Sequence, residues 1–146
     1  MGAITLASSF SAYAAAGWVQ SGNTYVYYDS DGSLHKGWVN ASNGYYYTDL
    51  STGQMVTGWK QINNNWYYFG SNGDMATGWF KDNLNNWYYL TPAGAGTEGA
   101  MVTGWQQIDG RWYYFNEKSD GFCGTMLSNT TTPDGYTVDG SGAWIQ

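Results

Sequence analysis

Tryptophan and tyrosine are the residues whose types and spacing could do chemistry in this chain. There are 9 Trp and 14 Tyr among 146 residues. They recur as a Gly-Trp pair followed by an aromatic cluster. The pairs are Gly17-Trp18, Gly37-Trp38, Gly58-Trp59, Gly78-Trp79 and Gly104-Trp105. The clusters are Tyr25-Val26-Tyr27-Tyr28, Tyr45-Tyr46-Tyr47, Trp66-Tyr67-Tyr68-Phe69, Trp87-Tyr88-Tyr89-Leu90 and Trp112-Tyr113-Tyr114-Phe115. A ring face carries negative quadrupolar charge, and converging rings make a cage for a cation, each worth roughly 0.5–2 kcal/mol. A quaternary ammonium suits such a cage, because it donates no hydrogen bond and is weakly hydrated.

Other chemistries lack residues. The only glutamates are Glu98 and Glu117, and most aspartates fall in turns, where they serve backbone geometry. His35 has no nucleophile beside it and is expected to face solvent. Cys123 is read as a small packing residue in the methionine slot of its repeat, since a single cysteine forms no internal disulfide. Asp29-Ser30-Asp31-Gly32 opens like a calcium loop, yet Asn40 stands where the closing glutamate belongs. No catalytic residue, metal site or cofactor is expected.

The elements that must position the rings are short strands. Gly-Trp returns after 20, 21, 20 and 26 residues, the long step carrying an insertion over Pro92–Glu98. Asp109-Gly110, between Gly104–Ile108 and Arg111–Phe115, predicts a two-residue type I′ hairpin. Asn64 with its neighbours and Asn43-Gly44 are read the same way. Each copy then reaches Gly-x-Met or its like: Gly32-Ser33-Leu34, Gly53-Gln54-Met55, Gly73-Asp74-Met75, Gly99-Ala100-Met101 and Gly121-Phe122-Cys123. The repeats are expected at 17–36, 37–57, 58–77, 78–103 and 104–123, with a degenerate cap over 124–146. An isolated hairpin is marginal in water, so about five must stack into an all-β solenoid. Strand alternation puts Trp66 and Tyr68 on one face and Tyr67 and Phe69 on the other; parity alone leaves open which face looks inward.

Leu, Ile, Val and Phe number only 21, so aromatic area must supply the core. A formal charge of −6 with 5 Lys and Arg disfavours nucleic acid, which is bound by cationic groups that displace counterions. No run is long and apolar enough for a membrane-spanning helix. Residues 1–16 are small, apolar and uncharged, with Ala12-Tyr13-Ala14 matching a signal-peptidase pattern; they are read as the tail of an export signal or a leader.

Gly-Trp, a hairpin, Trp-Tyr-Tyr and Gly-x-Met-x-Thr-Gly at a 20-residue step resemble the choline-binding cell-wall repeats of Gram-positive surface proteins and phage lysins, over Gly17 to Gln146. The resemblance implies a left-handed superhelix of stacked hairpins in an extracellular protein of the cell surface or wall. It implies binding of choline or phosphocholine on teichoic and lipoteichoic acid, and leaves room for a choline-dependent homodimer. It places each site between neighbouring repeats, with two aromatics from one copy and the last tyrosine of the next cluster. Carried over, the boxes are Trp59, Trp66 and Tyr89; Trp79, Trp87 and Tyr114; Trp38, Tyr45 and Tyr68; Trp18, Tyr25 and Tyr47; and Trp105, Trp112 and Tyr136. One of Met55, Met75, Met101 and Met126 could close a box. The alternatives are a glucan- or oligosaccharide-binding repeat, since sugars also stack on Trp, and a spacer whose aromatics only pack.

Overall fold

The structure, a computed structural model, describes residues 15–146; the expected leader lies outside these but for its last two residues. The chain divides into two compact units, up to Val56 and from Thr57 to Gln146. The first holds β1 (Gly17–Ser21), β2 (Thr24–Tyr28), β3 (Gly37–Ala41) and β4 (Gly44–Thr48). The second holds β5 (Gly58–Ile62), β6 (Asn65–Phe69), β7 (Gly78–Lys81), β8 (Trp87–Leu90), β9 (Gly104–Ile108), β10 (Arg111–Phe115), β11 (Thr130–Thr131) and β12 (Thr137–Val138). Consecutive strands pair antiparallel, making two hairpins in the first unit and four in the second. The described residues are all-β and contain no helix.

The turns follow from their residues, with one correction. Asp109 and Gly110 both take positive φ (50° and 80°), as do Asn63 and Asn64 (49° and 67°), the type I′ geometry. At Asn43-Gly44 the expectation fails: Ala41 pairs with Gly44, so the turn is Ser42-Asn43 and Gly44 opens β4. In the β7–β8 hairpin Lys81 pairs with Trp87, leaving a five-residue turn over 82–86. The Asp82 carboxylate accepts from the Leu84 and Asn86 amides at 2.8 and 2.9 Å, and this longer turn explains the extra residue before Trp87.

The core is one slot repeated. Thr48, Phe69, Leu90, Phe115 and Val138, the largest fully buried side chains, each end the second strand of a hairpin. In four of them the partner across the hairpin is the glycine of Gly-Trp: Gly37, Gly58, Gly78 and Gly104. Thr48 is tolerated there because its hydroxyl donates to the His35 carbonyl at 2.9 Å. Burial also answers the parity question: Tyr67 and Phe69 are buried, whereas Trp66 is 40% exposed.

Within each unit a short third segment ties a hairpin to its predecessor. Met126 bridges to Phe115 at the end of its own hairpin, yet its amide donates to the Trp87 carbonyl of the hairpin before, at 2.7 Å. The next amide, Leu127, returns to Tyr114 at 2.9 Å. Met101 reaches Trp66 at 2.8 Å while Val102 returns to Tyr89; Met55 reaches Tyr25 while Val56 returns to Tyr47; Trp144 reaches Trp112 while Ile145 returns to Thr137. The Gly-x-Met slot of the fifth repeat is therefore Gly124-Thr125-Met126. The assignment to Gly121-Phe122-Cys123 is corrected, and half-buried Cys123 lies in the loop before it. The segment over 124–146 holds a reduced hairpin, with Trp144 where other repeats have methionine. The Pro92–Glu98 insertion is pinched off at its base, where Gly99 donates to Thr91 and Thr91 to Ala100 at 2.7 and 2.9 Å. His35, expected to face solvent, is half-buried, with Nδ1 2.9 Å from an Asp29 carboxylate oxygen.

Gly53, Gly99, Gly124 and Gly142 each do two jobs. Gly124 has φ +83°, and the Met101 sulfur lies too close to leave room for a Cβ. Gly124→Ala is therefore expected to cost about 1–3 kcal/mol in urea denaturation. Gly110 has a similar φ of +80° but open space around it, so Gly110→Asn should change the midpoint far less.

Two phenols brace adjoining turns. Tyr88 donates to Asp82 at 3.2 Å, and Tyr114 to Glu117 at 2.7 Å. Burial, then the Asp82 charge, pushes Tyr88 up to about 12; the hydrogen bond to Glu117, then burial, pushes Tyr114 up to about 12. Unfolded tyrosine titrates near 10.0, so these groups favour the neutral folded state below that pH. Stability should fall as pH rises from about 10 to about 12, and Tyr114→Phe should flatten that fall in urea midpoints taken across the window.

Candidate functional site

Strand register fixes the first two walls of each cage. Within a hairpin the Gly-Trp indole stands beside the tyrosine paired with it across the strands, in near edge-to-face contact. Trp18–Tyr27, Trp38–Tyr47, Trp59–Tyr68, Trp79–Tyr89 and Trp105–Tyr114 have ring centroids 5.1, 5.2, 5.3, 5.2 and 5.3 Å apart. The repeated distance shows that this pair holds each indole in one orientation. The first cluster residue lies on the same face two residues earlier: Tyr25, Tyr45, Trp66, Trp87 and Trp112 are each 37–44% exposed.

The third wall comes from the following hairpin, one residue earlier in its cluster than the resemblance implied. Tyr113, not Tyr114, faces Trp79, at 5.0 Å and 79°. Tyr88, not Tyr89, faces Trp59, at 4.9 Å and 59°. Tyr46, not Tyr47, faces Trp18, at 5.1 Å and 62°. The reason is alternation: the third cluster residue shares a face with its own Gly-Trp indole, while the second points back at the preceding hairpin. Trp38 and Tyr45 belong to the first unit, and Tyr68 to the second, where it stacks on Phe80 at 4.1 Å.

Two cages form open cavities in the second unit. Trp79, Trp87, Tyr113, Met126 and Ser141 line one of about 440 Å³. Its two indoles are 6.1 Å apart and perpendicular at 89°, so they form two sides of a corner. Met126 is thus the methionine that closes this box, and Met101 and Met55 take the same hydrogen-bonded place behind Trp66 and Tyr25. Trp105, Trp112, Asp134, Tyr136 and Trp144 line the other, of about 340 Å³. Here Tyr136, which the resemblance assigned to this box, lies 5.8 Å from both Trp105 and Trp144 and nearly perpendicular to each.

Charge distinguishes the two. Across from Trp87 stands Lys81, whose ammonium is 5.5 Å from the indole centroid. In the other hairpins the residue opposite is a neutral amide: Gln20, Asn40, Gln61 or Gln107. At the terminal cage Asp134 accepts from Trp105 Nε1 at 2.8 Å and from the Thr132 hydroxyl at 2.6 Å. These bonds, Thr132 first and Trp105 second, hold its carboxyl below the usual aspartate range. Sequence reading passed over Asp134 and Trp144, although the Gly-x-Trp spacing at 142–144 repeats Gly-x-Met. Among the described residues no group of acidic, His or Cys side chains could hold a metal.

Comparison with known proteins converges on one family. Residues 15–57, 56–95 and 96–130 match the choline-binding repeat. No curated protein sequence matches the chain. Choline-binding protein F of Streptococcus pneumoniae, solved with ipratropium, is 42% identical with a TM-score of 0.77, over 90% of this chain and 39% of that one. CbpJ from Streptococcus pneumoniae TIGR4 is also 42% identical, at 0.76, over 89% and 41%. The multimodular pneumococcal cell-wall endolysin from phage Cp-1, complexed with choline, is 31% identical at 0.59, over 90% and 37%. The chain spans about two fifths of the length of these proteins.

The Lys81 ammonium, 5.5 Å from the Trp87 centroid, repels a second cation brought to that indole. Lys81→Gln should tighten tetramethylammonium binding at this cage about two- to fivefold. The Trp87 indole resonance reports it, with Trp112 as internal reference; equal affinities would remove Lys81 from the cage.

Proposed function

The chain belongs to the choline-binding repeat family, and from that premise we propose that it is a non-catalytic module that recognises choline groups of cell-wall teichoic and lipoteichoic acids. The observation that carries the proposal is the corner formed by Trp79 and Trp87 and closed by Tyr113 and Met126. Three ring faces and a thioether surround an open cavity, with Ser141 the one polar residue lining it. A trimethylammonium group needs π-faces and no hydrogen-bond partner, whereas a sugar needs polar groups around its ring.

The binding residues on this reading are Trp79, Trp87, Tyr113 and Met126; Trp59, Trp66, Tyr88 and Met101; Trp18, Tyr25, Tyr46 and Met55; and Trp105, Trp112, Tyr136 and Trp144. Three rings at roughly 0.5–2 kcal/mol each correspond to affinities around millimolar. One such site is weak. Several sites gripping one polymer gain by effective concentration and hold the protein at the cell surface. The formal charge of −6 also favours a cationic ligand.

Titration with choline, followed by the intrinsic fluorescence of the tryptophans, tests the proposal beside a parallel titration with a glucan oligosaccharide. Choline should quench or shift the emission at millimolar concentration and the oligosaccharide should not. Trp87→Ala should weaken the cage of Trp79 at least about tenfold, a loss of about 1.4 kcal/mol. Saturable oligosaccharide binding without a choline response would replace this reading with the carbohydrate one.

A further inference from the structure

The cage of Trp79 and Trp87 carries at its rim a cation that the other hairpins lack. Lys81 stands opposite Trp87 in the β7–β8 register, two residues beyond Trp79 on the same strand face. Its ammonium lies 5.5 Å from the Trp87 centroid. The equivalent residues Gln20, Asn40, Gln61 and Gln107 are neutral amides. The cavity itself is lined by Trp79, Trp87, Tyr113, Met126 and Ser141, so Lys81 borders the site instead of filling it.

The neighbouring carboxylates leave this ammonium uncommitted. Asp82, next in the chain, turns both oxygens into its own turn. One accepts from the Leu84 and Asn86 amides, the other from the Asn86 side chain at 3.1 Å and the Tyr88 hydroxyl at 3.2 Å. Among the described residues no carboxylate is within ion-pair distance of Lys81. Asp139 stands behind Ser141, whose hydroxyl donates to it at 2.6 Å, and it also takes the Ser141 and Ala143 amides at 2.8 and 3.0 Å. One lining residue is thus backed by a carboxylate and another is overlain by an ammonium. Lys81 comes from β7 and Asp139 from the segment after β12. That arrangement suits a ligand that carries both charges.

For a bare quaternary ammonium, Lys81 is a cost, since like charges repel. Choline esterified to phosphate is different. Two carbons separate its nitrogen from the ester oxygen, so with the trimethylammonium between the rings the phosphate emerges beside the rim. A lysine ammonium is a point charge with three donors on a flexible stem, and it can follow an anion there with charge-assisted hydrogen bonds. The chain's formal charge of −6 repels phosphate at long range, so an anion needs a local cation, which a neutral amide does not supply.

We propose that Lys81 is a specificity-determining residue that makes this one junction a reader of cholinyl phosphate esters: the rings of Trp79, Trp87 and Tyr113 hold the trimethylammonium, Lys81 holds the phosphate, and esterified choline is preferred here over free choline. The proposal rests on the choline-binding reading above and deepens it, by assigning a residue to a second group of the same ligand.

The test titrates the intact chain with choline and with phosphocholine and follows the indole resonances of Trp79 and Trp87. In the wild type phosphocholine should bind this cage about three- to tenfold more tightly than choline. The preference should shrink as salt rises from about 0.01 to 1 M, where the Debye length falls from about 30 to 3 Å. Lys81→Gln should move the two ligands in opposite directions, choline about two- to fivefold tighter and phosphocholine about three- to tenfold weaker. Loss of packing alone would weaken both. Lys81→Arg, which keeps the charge, should keep the preference. Unchanged resonances of Trp112 and Trp144 show that each variant is folded. Equal affinities for the two ligands in the wild type, or a shift of both by the same factor in Lys81→Gln, overturn this proposal and leave the choline reading intact. Absence of any response to choline at Trp79 and Trp87 overturns the choline reading at this cage, and this proposal with it.

Discussion

Two consecutive amides carry the connection between hairpins within each unit. One turns back to the preceding hairpin and the next to its own, as Met126 does to Trp87 and Leu127 to Tyr114. A two-stranded hairpin is marginal alone, and each such bond contributes only about 1 kcal/mol net. Their value lies in placement. The carbonyl they seek belongs to the first cluster residue, the one whose ring forms a cage wall. The backbone bond that joins two hairpins therefore also locates that indole or phenol against the next repeat. Cage and stack share one constraint, and a repeat cannot keep its place while misplacing its wall.

Packing and exposure alternate along β6 and β8. The last cluster position seals the core at Phe69, Leu90 and Phe115, opposite a glycine that leaves it room. Two residues earlier, Tyr67 and Tyr88 are also buried, and Tyr88 turns its ring to Trp59. The opposite face presents Trp66 and Trp87 partly to solvent. Aromatic area thus does for this chain what aliphatic side chains do elsewhere. The rings that are not buried are held by neighbours nearly perpendicular to them and keep a face free.

The periodic part of this arrangement was legible in the sequence. Gly-Trp and the clusters named the strands, and the intervals named the repeat. The error at the third wall was avoidable: with the turn at Asp109-Gly110, strand register places Tyr114 beside Trp105 of its own hairpin, leaving Tyr113 to face backward. The slip at Cys123 was harder to avoid. The loop between Phe115 and Met126 is longer than in most copies, and what sets its end is a hydrogen bond to Trp87, far away in sequence. Asp134 lay in a stretch where the motif had degenerated, and its meaning depends on Trp105 being 2.8 Å away. Local periodicity can be read from residue types; contacts between copies need the register that only folding supplies.

Walls drawn from two successive copies have a consequence for how such a chain can change. Within the second unit the cavity of Trp79 and Trp87 takes those rings from one hairpin, Tyr113 from the next and Met126 from the segment after it. Unequal recombination that adds or deletes one copy adds or deletes one pocket, and any copy that keeps the shared ring positions can join any other. The number of such pockets can then be tuned by copy number, while a single altered copy changes one junction and spares the rest.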